Sequence, residues 1–202
     1  MEKPRIMQLG DVCAIRTGLT LRARPAEGAA GVLAVQQGDL SPTGAYEPRA
    51  TVRIDPAIVS PHHMALPGEV IFRSRGPFWS AWAVENLSEP LVSVAPLFIL
   101  HPPADIDPEF LAWTLGRPAA QRYFAAESLG TNIKMISKPV LAALPLAWPS
   151  LHTQRSITRY SDLATREAQL VKRHATLNLT LTNSRLDEAA DLASTSPDRR
   201  TS

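Results

Sequence analysis

From Leu151 to Ser196 the chain has neither a proline nor a glycine, whereas the first 150 residues hold 17 of its 18 prolines. Proline fixes φ and has no amide proton to donate, so it stops helices and central strands. The two stretches therefore fold by different rules. The first is restricted to short elements joined by rigid turns, and the second is free to run as one helix. Hydrophobic residues make up 45% of the chain, enough for a folded domain with a core.

In the second stretch Ile157, Tyr160, Leu163, Ala164, Leu170, Val171, Leu177 and Leu181 recur at helical spacing, with Leu163, Leu170 and Leu177 seven apart. This predicts one helix over residues 151–193, roughly 60 Å long at 1.5 Å per residue. A helix of that length cannot pack wholly on a small domain. Its seam is Ile157, Tyr160, Leu163, Leu170, Leu177 and Leu181, interrupted by Glu167 and His174. Such a face wants a partner helix. The polar end, residues 194–202, is expected to be a disordered tail.

Residues 1–150 read first as strands. Val12 to Ile15, Val32 to Val35, Thr51 to Ile54, Val70 to Arg73, Ala81 to Val84 and Leu97 to Leu100 are apolar or β-branched runs bounded by turn residues. Then the period changes. Asp107-Pro108-Glu109 is a helix start, with an acid at the N-cap, proline at the first helical position and a carboxylate at the positive end of the dipole. Gly116 and Pro118 close that helix, and a second covers Ala119 to Ala126. Ser137 and Pro139 open a short turn through Leu144, and Leu146-Ala147-Trp148 is a last buried strand. The fold class is α+β: a mixed, mainly β domain over residues 1–150, followed by the long helix.

Net charge is only +2, too little for a protein held to nucleic acid by bulk charge. The charge is segregated instead. Residues 12–26 carry Arg16, Arg22 and Arg24 with no acid, residues 70–84 carry Arg73 and Arg75, and residues 128–161 carry Lys134, Lys138, Arg155 and Arg159. Glu85, Glu89, Asp105, Asp107 and Glu109 form a stretch with no base. For any single patch solvated surface is the better reading, but the segregation of sign along the chain suggests one basic and one acidic face.

Chemistry-bearing patterns are missing. There is no glycine-rich nucleotide loop, no nuclease carboxylate set, and neither the methyl-donor loop nor the Asn-Pro-Pro-aromatic motif of amino-methyltransferases. Cys13 is the single cysteine, which fits a reducing cytoplasm and leaves it as a core residue. His62-His63 lacks a third ligand at recognisable spacing, so no metal site is expected. Ser74 and Ser80 lack an identifiable base. No cofactor is implied, no run spans a membrane, and the chain is expected to be a non-catalytic cytoplasmic protein.

Several phrases, in order, resemble the target-recognition domain of type I restriction-modification specificity subunits. They begin with Leu9-Gly10-Asp11-Val12 and Arg16-Thr17-Gly18. Next comes Leu66-Pro67-Gly68-Glu69-Val70-Ile71-Phe72-Arg73-Ser74-Arg75-Gly76, with Glu69 where the family has Asp. Pro96 to Leu100, Ile106 to Trp113 and Gly130-Thr131-Asn132-Ile133-Lys134-Met135-Ile136-Ser137 follow. Leu144-Pro145-Leu146, Pro149-Ser150-Leu151 and Gln154-Arg155-Ser156-Ile157 resemble the family's junction into its long helix, with His152-Thr153 in place of an acidic pair. The resemblance implies a domain that reads double-stranded DNA and a helix that spaces two such domains. It also implies separate methyltransferase and restriction subunits that supply catalysis. The family's full-length chains carry two recognition domains and two long helices. One of each is present here, as in a half-subunit that pairs with itself or with another half-subunit through an antiparallel coiled coil, or in a piece of a split system.

Reading DNA needs loop donors that enter a groove, beside phosphate anchors. Arg73, Ser74, Arg75 and Gly76 form one candidate loop. Gly130, Thr131, Asn132 and Lys134 form another, and Arg16, Thr17, Arg22 and Arg24 a third. Against this stand plainer roles: an arginine paired with a surface acid, or Asn132 serving a structural turn. Phe78, Trp79 and Trp82 are expected in the core. A different reading of the whole chain is a coiled-coil adaptor that docks on restriction subunits without reading DNA.

Overall fold

The computed structural model describes residues 5–21, 30–85, 87–130 and 133–195. In chain order the elements are β1 (Arg5–Gln8), α1 (Leu9–Val12), β2 (Ala14–Thr17), β3 (Val32–Val35), β4 (Arg53–Ile54), β5 (Met64–Ala65), β6 (Val70–Arg73), β7 (Ser80–Ala83), β8 (Leu91–Ser93) and β9 (Leu97–His101). They are followed by α2 (Pro108–Gly116), α3 (Pro118–Glu127), α4 (Lys138–Ala142), β10 (Pro145–Trp148) and α5 (Leu151–Thr195). This is a mixed α+β fold that ends in one long helix. The chain divides into two compact units, Met1–Thr158 and Arg159–Ser202.

Three sheets build the first unit. One is antiparallel throughout, in the order β2-β9-β6-β7. A second has the order β4-β3-β8-β5, with β3 and β8 parallel and the outer pairs antiparallel. The third is the pair β1–β10. Side chains alternate across a strand, and β6 shows the result. Val70 and Phe72 join the core formed with Leu111, Leu115 and Phe124 of α2 and α3. Ile71 points the other way, into a core with Val35 and Leu91 of the second sheet. A strand covered on both faces reads as a continuous apolar run, and Val70, Ile71 and Phe72 are all fully buried. A third cluster, with Ala34, Ile54 and Val92, covers the far face of the second sheet.

Helix α2 starts as its sequence directs: the Asp107 carboxylate accepts from the Phe110 amide at 3.1 Å, with Pro108 at the first position. Several boundaries differ from the sequence reading. Leu9 to Val12 form a helical turn, so the strand expected from Val12 starts at Ala14. The strand expected from Thr51 is only Arg53–Ile54. Strands β1, β5 and β8 were not foreseen. The last strand, β10, is half-exposed rather than buried, because it pairs only with β1 in a separate two-stranded sheet. Helix α5 runs two residues into the expected tail, and the rest of that tail lies outside the described residues.

Candidate nucleic-acid interface

The two candidate loops that follow β6 and α3 are far apart in the sequence, and backbone hydrogen bonds join them. Arg75 and Met135 form an antiparallel bridge. The Gly76 amide donates to the Lys134 carbonyl at 3.1 Å, and the Ile136 amide to the Ser74 carbonyl at 2.8 Å. On its other side Met135 bridges Leu129 through reciprocal bonds of 2.9 and 3.0 Å. Alternation then sorts the side chains. Ser74 and Ile136 are buried, while Arg75 and Met135 face solvent.

Glycine closes both loops. Gly76 has φ +122°, and a Cβ there would sit 2.9 Å from Nη2 of Arg73. Gly130 has φ +99°, and its Cβ would press within 2.6 Å of the Ile133 carbonyl oxygen. Any other residue at either position would be strained by its conformation, and at Gly130 also by contact with backbone, whereas at Gly76 the flexible Arg73 side chain could move aside.

The two arginines of the first loop sit differently. Arg73 is half-buried. Its guanidinium lies over the Phe78 ring at 4.0 Å and donates to the carbonyls of Leu40 at 3.1 Å and Arg75 at 3.2 Å. Burial, and after it the nearby Arg49 charge, pushes its pKa below the ordinary arginine value. Arg75 is exposed. Neither guanidinium pairs with a carboxylate among the described residues. Lys134 is exposed beside them. These cations, with no acid in residues 70–84 or 128–137, favour an anion in front of the loops. Ser74 faces inward, and its hydroxyl donates to the Pro96 carbonyl.

The remaining candidates are distributed elsewhere. Arg16 forms an ion pair with the buried Glu69 and donates to the carbonyls of His62 at 2.7 Å and Met64 at 3.3 Å, so both terminal nitrogens are engaged by the protein itself. Thr17 is exposed at the end of β2, opposite Phe98. Arg22, Arg24, Thr131 and Asn132 lie outside the described residues. Trp79 is buried against Phe124, and Trp82 stacks on Tyr46 at 4.5 Å between ring centres. The imidazoles of His62 and His63 stand edge to face, and among the described residues no three metal-ligating side chains converge. On the helix, Tyr160, Leu163, Leu170, Leu177 and Leu181 are all more than half exposed, and Ile157 is half-buried.

Sequence reasoning passed over Arg49, which sits near Glu47 in a charge-mixed segment and gives no signal of its proximity to Arg73. It also passed over Leu129 as a surface residue. Leu129, Ile133 and Met135 are 59%, 53% and 39% exposed, and only the bridges reveal that Leu129 and Met135 flank Arg75.

No protein-family model and no curated protein matches this chain. Solved structures do. A chain from a type I restriction-modification system, solved to explain complex assembly and conformational transition, aligns with a TM-score of 0.63 at 24% identity over 92% of this chain. The HsdS subunit of Thermoanaerobacter tengcongensis aligns at 0.59 and 24% over 84%, and the type I S subunit of M. genitalium at 0.54 and 14% over 92%. The chain has the fold of a type I specificity subunit. It spans 44%, 39% and 46% of those three chains, less than half of each specificity-subunit length.

Proposed function

We propose that this chain supplies one recognition domain and one long helix of a specificity subunit of a type I restriction-modification system. It reads a sequence in double-stranded DNA and directs a separate methyltransferase, and with it a restriction subunit, to that site in the cytoplasm. Residues 1–150 act as the recognition domain and residues 151–193 as the pairing and spacing helix. The chain itself carries out no reaction. The observation that carries this reading is the joining of the arginine loop and the glycine-threonine loop by backbone hydrogen bonds, with no acid in the joined segments 74–76 and 133–136. The specificity-subunit fold supports it.

The test is binding to duplex DNA across salt concentrations with non-specific competitor. Affinity for one sequence that survives in high salt is the expected result, because base contacts discriminate where phosphate contacts do not. Arg75→Ala should reduce that specific binding by about 1–3 kcal/mol with the fold intact. Binding that tracks salt alone, equal on all sequences, would instead favour the adaptor reading, in which the exposed apolar stripe of α5 is the working surface. The purified chain should neither methylate nor cleave DNA until a cognate methyltransferase is added.

A further inference from the structure

Leu129, Met135 and Arg75 stand side by side across three bridged backbone segments. The bonding pattern fixes their spacing. Leu129 and Met135 exchange both amide bonds, whereas the bonds around Arg75 and Met135 run between their neighbours. The first is the wider kind of antiparallel pair, about 5.5 Å between Cα atoms, and the second the closer kind, about 4.5 Å. Residues directly opposite each other share a face. The result is a row about 10 Å wide, apolar at one end and cationic at the other, with exposed Lys134 adjoining it.

An exposed apolar pair in such a place needs an occupant, and charge selects which. A protein partner matched to Leu129 and Met135 would also have to face Arg75, Lys134 and the acid-free loops around them. Duplex DNA supplies the matching negative charge. Its major groove is about 12 Å wide, admits a β-ribbon, and presents one apolar group on its base edges, the 5-methyl of thymine. Arginine pairs there with the two acceptors of guanine.

We infer that this row reads thymine methyl groups with Leu129 and Met135 beside a guanine taken by Arg75. The inference rests on the DNA-reading function proposed above. It adds that part of the recognition is apolar and confined to the major groove, since the minor groove carries no methyl.

The experiment uses the full chain and a pool of random duplexes. Bound duplexes are selected through repeated rounds, and the winning sequence is resynthesised with uracil in place of single thymines, which removes only the methyl. At one or more positions uracil should weaken binding about fourfold, the effect of withdrawing one buried carbon. Leu129→Ala or Met135→Ala, each checked for folding by circular dichroism, should weaken the thymine duplex and abolish the discrimination against uracil. Replacing the adjoining guanine with 7-deazaguanine should weaken binding to the native chain and have no further effect on Arg75→Ala. Equal affinity for uracil at every thymine, a selected site without thymine, or discrimination that persists in both folded variants would overturn the inference while leaving DNA reading intact. So would folded variants that bind DNA normally but lose association with the methyltransferase, which would make the row a protein interface. If no sequence emerges from the pool, the DNA-reading function itself fails, and this inference with it.

Discussion

Glu69 is a carboxylate only 3% exposed, and it ties three segments together. One oxygen accepts from the Leu66 amide at 2.9 Å and closes the Leu66-Pro67-Gly68-Glu69 turn. The other takes Arg16 from β2 and lies 3.2 Å from Nδ1 of His101 on β9. Breaking a buried pair leaves its partner uncompensated, which typically costs about 3–5 kcal/mol. Arg16 retains some contact with solvent, so Glu69→Ala should destabilise by about 3 kcal/mol, the low end of that range. Urea unfolding measures it, and a loss below about 1 kcal/mol, the scale of an exposed pair, would show that the pair is not a brace. Cys13 offers a second measurement. Burial, with a smaller contribution from Asp105, pushes its thiol up to about 12. An unfolded cysteine titrates near 8.5, so above that pH the unfolded chain sheds a proton that the folded chain keeps. Stability supplied by Cys13 is thus complete below about 8.5 and declines as the pH rises toward the folded value. The native chain should resist alkylation at pH 8.5 and react once urea is added, and Cys13→Ser should flatten the alkaline loss of stability. Rapid alkylation of the native chain would contradict the burial.

At the level of elements, the start of α5 is fixed by one amide side chain. Gln154 is 1% exposed, and its carbonyl oxygen accepts from the Asp107 amide at 2.8 Å. Its nitrogen donates to the carbonyls of Asp105 at 3.0 Å and Pro149 at 2.8 Å. The first turns of the helix are therefore continuous with the first compact unit, which extends to Thr158. Gln154→Ala would strand three backbone groups and should cost about 2 kcal/mol, read by thermal or urea unfolding. No measurable change would mean that water replaces the side chain without penalty. Elements whose signal lies within themselves were legible in the sequence. Helix α2 has its own cap and proline, α5 its uninterrupted period, and β6 its doubly buried Val-Ile-Phe run. Strands β5 and β8, two and three residues long, exist because of pairing partners, and β8 lies parallel to β3 across a long connection. No local pattern announces such a partner. The same limit applies to the candidate site. The glycines and cations of both loops were visible, but their union depends on amide bonds between distant segments. Arg16 looked like a free cation because Glu69, which holds it, is remote in sequence.

For the whole molecule, the exposed face of α5 bears on the proposed assembly. Leu163, Leu170 and Leu177 are 56%, 67% and 54% exposed, and Tyr160 and Leu181 extend the same stripe. Polar Glu167 and His174 interrupt it, as polar seam residues do when they restrict which pairings are tolerated. If a second copy covers this stripe in antiparallel fashion, the pair has a two-fold axis and its two reading surfaces face DNA as inverted half-sites. The target should be an inverted repeat divided by a spacer that no side chain reads, with the helix pair as its ruler. The 45-residue helix has a definite rise per residue. Deleting seven residues, one heptad, between Tyr160 and Leu181 keeps the stripe in phase and shortens the helix by about 10 Å, close to three base pairs at about 3.4 Å each. The preferred spacer should contract accordingly. Light scattering on the purified chain gives the stoichiometry, and sequencing of methylated DNA from cells holding this chain and its methyltransferase gives the site. Leu170→Asp should reduce the dimer to monomer without unfolding the first unit. A stable native monomer, or a methylated site with unrelated halves when no other specificity chain is present, would exclude the homodimer. Unrelated halves that appear only when a second specificity chain is co-expressed would point instead to pairing with that chain, because an asymmetric site requires two different reading surfaces.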